Sequence, residues 1–173
     1  MRNVSENSSD FQKATVELVA GIAGLLTARS HTLSVAESLT GGHVSNAIVS
    51  VPGASSFFKG GVVAYADDAK VRLLGVSRQT IASHGAVSRE TALEMARGAA
   101  RIFDSTMAVS TTGIAGPTGQ TEKKAIGLAF IAVVYKGTEA VSEKVYPGSR
   151  EMVRNACSLD ALKLCADAAE KQT

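Results

Sequence analysis

The chain has 173 residues, 45% hydrophobic and 20% charged, with 18 basic against 16 acidic side chains and a net charge of +2. That composition excludes wholesale disorder and allows a core without disulfide or metal staples. It also leaves no clustered basic patch with interleaved aromatics, so nucleic acid is not an expected partner. Trp is absent and aromatics make up only 5% of the chain, so the core must pack backbones closely through Ala, Val and Gly. Cys157 and Cys165 fall in one helix-like stretch, which argues against a structural disulfide and for a reducing compartment. The longest apolar run, Leu18 to Leu26, is too short to span a bilayer and lacks signal-peptide flanks. A cytoplasmic protein without membrane contact is expected, with residues 1–10 a flexible N-terminus and residues 11–173 one domain.

In chain order, Ser9 to Arg29 reads as a helix, with Val16, Val19, Ile22 and Leu26 at helical spacing. Leu33 to Ala36 is a short strand ending at Glu37-Ser38. Thr40-Gly41-Gly42 leads into a helix through Val44, Ile48 and Val49, which Pro52-Gly53 stops. Gly61 to Tyr65 reads as a buried strand. Asp67 is placed as the cap of a short helix carrying Lys70, Val71 and Leu74, with Gly75 as its stop. Ser77 to His84 adds a helical turn or two, and Ser88 caps a helix to Phe103 whose face is Ala92, Met95, Ala99 and Phe103. Met107 to Ser110 is a strand running into the glycine-rich loop Thr112 to Gly119. Ile126 to Tyr135 and Ala140 to Tyr146 form an antiparallel hairpin about Lys136-Gly137. Ser149 starts a last helix with Val153, Cys157, Ala161 and Leu164 as its buried stripe.

Strands alternating with helices and closed by a hairpin predict a single-domain α/β layered fold, a mixed β-sheet flanked by helices. Ligands of such folds sit beyond the carboxyl ends of strands, where strand-to-helix loops converge. Three segments have that character: Glu37 to Gly42, Tyr65 to Lys70 and Thr111 to Gly119. Ser38, leaving a strand just before a helix, suits a nucleophile, with Gly41 and Gly42 exposing backbone amides to an anion. An ordinary helix cap would look the same. The histidines, His31, His43 and His84, show no triad spacing; a lysine is the other option for a base, but on spacing alone Lys70 reads as a solvated side chain and Tyr65 as a core residue with its hydroxyl at the rim. Lys70 lies in the first turn of a short helix, where an ammonium is disfavoured, although Asp67 and Asp68 oppose that effect if they face it. Amides of the Thr112 loop can form an anion-binding nest, and Arg150 stands at another helix start. No metal-ligand spacing occurs, and neither metal nor cofactor is expected.

Taken as an ordered set, the motifs resemble a known family. Ala36-Glu37-Ser38-Leu39-Thr40-Gly41-Gly42, Pro52-Gly53-Ala54-Ser55-Ser56, Phe58 to Tyr65, Ala69-Lys70, Leu74-Gly75-Val76, His84 to Ser88, Thr112 to Pro117 and Pro147-Gly148-Ser149-Arg150 resemble the C-terminal domain family of the competence/damage-inducible protein CinA. The resemblance implies a nicotinamide-nucleotide amidohydrolase, converting nicotinamide mononucleotide and water to nicotinate mononucleotide and ammonia. It implies Ser38 as nucleophile, Lys70 and Tyr65 as proton-transfer partners, and Thr112, Gly113 and Arg150 as nucleotide-binding groups. A catalytically silent nucleotide- or partner-binding domain is the alternative. Leu39, Ala66-Asp67, Lys124-Ala125 and Ser149 stand where the family commonly has Cys, Ser-Asn, Lys-Pro and Asp, which bears on rate and substrate preference more than on fold. The Gly/Ala-rich first helix and the hairpin edge suit a homo-oligomer.

Overall fold

The structure, a computed structural model, describes residues 8–171, with side chains from Gln12 onward. The expected flexible segment lies outside the described residues except for its last three positions, which open a helix. Helix α1 spans Ser8–Thr27, followed by β1 (Leu33–Glu37), α2 (His43–Val49), a short 3-10 turn (Ala54–Ser56) and β2 (Phe58–Val63). Then come α3 (Asp67–Leu74), α4 (Arg78–His84), α5 (Arg89–Phe103), β3 (Met107–Gly113), β4 (Leu128–Tyr135), β5 (Thr138–Val145) and α6 (Arg150–Glu170).

The strands form one mixed sheet in the order β2-β1-β3-β4-β5. β1 pairs in parallel with both β2 and β3, while β3-β4 and β4-β5 are antiparallel. Side-chain alternation then divides the core. Leu33 and Val35 of β1 and Met107 and Val109 of β3 face α1, α2 and α6 through Val19, Ile22, Leu26, Ile48, Val153 and Cys157. On the other face the same strands present only small residues, Ala36 and Ala108, against Leu74, Met95 and Ala99 of α3 and α5. Small side chains there let α5 lie close to the sheet, and Ser110 donates its hydroxyl proton to the Ala92 carbonyl of α5. The result is the α/β layered fold expected, with helices on both sides.

Several boundaries move. α1 stops at Thr27, not Arg29, and Val16 is exposed, off the buried stripe of Val19, Ile22 and Leu26. The second strand is Phe58–Val63 rather than Gly61 to Tyr65, and it is an edge strand whose residues alternate between half-buried and exposed rather than a buried one. β3 continues three residues past Ser110 because β4 pairs with it as far as Gly113. Along α6, Leu162 and Cys165 join the buried stripe, and Leu164 is only partly covered. The other edge strand, β5, carries exposed Glu139, Glu143 and Lys144, charges that discourage edge-to-edge pairing.

Register places the site. Glu37 of β1 stands level with Val63 of β2 and Thr111 of β3, so three parallel strands end together. Two antiparallel steps then make β5 run in the same direction as β3, and α6 therefore begins at the same edge of the sheet.

Candidate active site

A cavity of about 340 Å³ opens beyond those strand ends. Ser38, Tyr65, Lys70, Thr112, Gly113 and Arg150 all line it, together with Asp67 and the loop from Ile114 to Gly119. Six of the eight candidate residues thus meet around one space, although the first and last of them lie 112 positions apart in sequence. Gly41 and Gly42 do not line it.

Lys70 is the unusual member. It lies in the first turn of α3 and is only 2% exposed. Its ammonium donates to the Tyr65 carbonyl at 3.1 Å and stands 3.7 Å from Asp67 Oδ1. Burial pushes its pKa below the ordinary lysine value, while the Asp67 carboxylate and Tyr65 pull the other way without winning. The sign that sequence leaves open is therefore downward, which favours a base. Asp67 does not cap α3 as expected; the N-cap is Ala66, in extended conformation and with no side-chain bond. Asp67 and Asp68 instead occupy the first turn, where carboxylates complement the helix dipole.

Tyr65 connects to Lys70 through its backbone carbonyl, and its 59%-exposed side chain reaches a different partner. The phenol oxygen accepts from Arg150 Nη2 at 3.0 Å. Arg150 Nη1 donates to the Gly116 carbonyl at 2.8 Å. One guanidinium at the head of α6, which Ser149 caps, therefore ties the β2-α3 loop to the glycine-rich loop. Two of its five N–H donors serve these contacts, leaving three for a ligand.

Ser38 is held by a turn with several anchors. Its amide donates to the Thr111 carbonyl at 2.9 Å, and the buried hydroxyls of Thr40 and Thr111 pair at 2.7 Å. Gly41 donates back to the Ser38 carbonyl at 3.2 Å, with Gly41 and Gly42 at φ of 60° and 97°, a left-handed conformation that glycine adopts without strain. Thr112 spends its hydroxyl proton on the Ala86 carbonyl, 2.7 Å away, so its side chain fixes the α4-α5 loop.

The expected anion site at the head of α2 is already filled. Glu37, with no exposed surface, accepts from the amides of Gly42, Val44 and Ser45 at 2.9, 3.1 and 2.9 Å. It also accepts from the Ser45 hydroxyl at 2.7 Å. The donors assigned to Gly41 and Gly42 from sequence are therefore committed inside the protein. Sequence reading missed Glu37 as an anchor, and it missed Arg154, whose Nη2 donates to the Thr40 carbonyl at 2.9 Å. The signal for Glu37 was there: a lone carboxylate closing an otherwise uncharged strand, Leu-Ser-Val-Ala-Glu. For Arg154, 114 residues from its acceptor, sequence held no signal.

No histidine lines the cavity. His31 lies at the opposite end of the sheet, its Nδ1 2.6 Å from the Tyr135 hydroxyl. Among the described residues no cluster of His, Cys, Asp and Glu could hold a metal ion, and no helix is long and apolar enough to cross a membrane.

Comparison with known proteins decides the family, since the family model described as the CinA C-terminal domain matches residues 15–169. This chain belongs to the CinA C-terminal domain family. A CinA-like protein of Fervidobacterium nodosum is 46% identical over 142 residues, covering 81% of this chain and 34% of its relative. A putative competence-damage inducible protein of Clostridioides difficile is 38% identical over 158 residues, covering 91% of this chain and 38% of that protein. The chain thus spans little more than a third of the length of these curated relatives. Solved CinA-superfamily structures share the fold. The competence/damage inducible protein CihA of Agrobacterium tumefaciens superposes with a TM-score of 0.87 at 36% identity, covering 91% of this chain and 96% of its own. The competence damage-inducible protein A of Klebsiella pneumoniae gives 0.88 at 30% identity, covering 92% and 99%.

Proposed function

We propose that this CinA-family domain is a serine amidohydrolase acting on nicotinamide mononucleotide. The observation that carries the reading is a lysine with 2% exposure and a lowered pKa sharing one cavity with a serine at a strand end, where no histidine is present. Neutral Lys70 accepts the Ser38 proton as Oγ bonds to the carboxamide carbon. The tetrahedral intermediate collapses, the C–N bond breaks, and the leaving amine takes a proton from Lys70 to depart as ammonia. Water then gives a proton to neutral Lys70 and bonds to the acyl carbon; the ester C–Oγ bond breaks, Ser38 Oγ takes the proton back from Lys70, and the nicotinate product leaves. The Tyr65 phenol accepts from Arg150, so its own proton is left to point at substrate or leaving group. The remaining Arg150 donors, at the mouth of the cavity, suit a phosphate.

Ammonia release from nicotinamide mononucleotide by the purified chain tests this, with Ser38→Ala and Lys70→Ala alongside. Release by the wild type and its loss in both variants, with nucleotide binding retained, is expected. Undiminished release in both variants overturns the mechanism. Nucleotide binding by the wild type without release replaces the enzyme with a binding module.

A further inference from the structure

With the head of α2 filled by Glu37, the reaction needs another place for the negative charge that develops on the carbonyl oxygen. The pairing of β1 with β3 supplies one. Met107 N donates to the Thr32 carbonyl and Ser38 N to the Thr111 carbonyl, both at 2.9 Å, so odd-numbered residues of β3 turn their peptide groups toward β1. Even-numbered residues face β4, as the bond from Ile114 N to the Leu128 carbonyl, 2.8 Å, shows. The next rung toward β1 would run from Gly113 N to the Ser38 carbonyl. That rung is not made, because the turn rotates the Ser38 carbonyl to accept from Gly41 N. Among the described residues nothing accepts from Gly113 N, and the amide of Leu39, the residue after Ser38, has no acceptor either. Both residues line the cavity.

We infer that the amides of Gly113 and Leu39 form the oxyanion site for the Ser38 reaction, an open rung of the sheet rather than a helix terminus. The inference rests on the amidohydrolase reading. As the Ser38 Oγ–carbon bond forms, the π pair of the carbonyl moves onto its oxygen and the serine proton passes to Lys70. Two fixed N–H dipoles then meet that oxygen without reorganising. Position 113 has a second reason to be glycine: a Cβ there would stand 2.5 Å from the Leu128 carbonyl oxygen and 2.8 Å from Ala129 Cα. A side-chain variant would therefore push β3 off β4 and report on packing instead of on the N–H.

The test deletes the N–H alone. Semisynthesis replaces the Thr112–Gly113 peptide bond by an ester, and a second protein carries the ester at Thr106–Met107, removing the N–H that bonds the Thr32 carbonyl at the far end of β3, outside the cavity. Two rates are read: ammonia release from nicotinamide mononucleotide, and acylation of Ser38 by 4-nitrophenyl acetate followed by mass spectrometry. The expected result is a loss of roughly 10²- to 10³-fold in both rates for the first ester, with KM nearly unchanged. The second ester, which costs one strand hydrogen bond, stays within about threefold of the wild type. Wild-type rates in the first ester, or equal losses in both, overturn the inference. If the wild type leaves the nucleotide intact yet acylates Ser38 in a manner dependent on the Gly113 N–H, the substrate reading falls and the oxyanion site stands. Failure of the wild type to acylate at all removes both.

Discussion

Glu37→Gln isolates the charge that holds the Ser38 turn. The side chain keeps its size, but one of the two acceptor oxygens becomes an NH2 group. In the cheaper orientation the remaining carbonyl keeps the Gly42 and Val44 amides, and the Ser45 hydroxyl reverses to accept. The Ser45 amide then faces a donor and loses its acceptor at a half-buried position against the fully buried Glu37 side chain. An orphaned buried amide costs about 1–3 kcal/mol, and turning two charge-assisted bonds into neutral ones costs roughly 0.5–1 kcal/mol each. The opposite orientation orphans two amides and is worse. A loss of about 3 kcal/mol follows, equivalent to a fall in Tm of roughly 6–12 °C for a domain of this size. Urea unfolding with unchanged m value checks the energy, and scanning calorimetry checks the Tm. Well below that Tm, kcat is expected to fall with KM little altered, since the turn positions Ser38 and does not touch the nucleotide. A variant within about 0.5 kcal/mol of the wild type would refute the idea that this carboxylate organises the turn.

Other expectations concern Lys70 and the packing beneath it. Because the Lys70 pKa is lowered in the folded chain, the unfolded state binds more protons between that value and 10.5, so this residue makes stability rise with pH across the window. Its charged form is a cost to the fold at neutral pH. Lys70→Met should therefore unfold no earlier than the wild type at pH 7 while releasing no ammonia, and a large drop in Tm would contradict it. Asp67→Asn removes the charge 3.7 Å from the amine, so the acid limb of kcat/KM against pH should move to lower pH; movement upward would exclude Lys70 as the base. At Gly98, in the middle of α5, alanine ordinarily adds about 1 kcal/mol through helix propensity. Here a Cβ would collide with the Leu74 carbonyl of α3, so Gly98→Ala should destabilise instead, and a raised Tm would show that α3 yields easily.

What sequence alone determined is local. The Ser88 and Ser149 caps and the Gly75 stop each act within three or four residues of themselves, so they could be read directly from the chain, whereas Asp67, read as a cap, lies one residue inside its helix. Helical and strand periodicity gave the element order, and element order placed three loops at one sheet edge. It was the resemblance to the CinA family that singled out Ser38, Tyr65, Lys70, Thr112, Gly113 and Arg150, in those loops and at the head of the last helix, as one site. Tertiary structure decided which of the donors and acceptors in those loops are free. Gly42 carries an amide at a helix head in either description, but only the fold puts the Glu37 carboxylate against it. Tyr65 looked like a phenol partner for Lys70, and it is the backbone carbonyl that reaches the amine. The Gly113 rung is open because a turn in a neighbouring strand rotates one carbonyl away. A motif records which polar groups are present; whether each is already hydrogen-bonded depends on residues distant in sequence, and in this site that is what separates a structural amide from a reactive one.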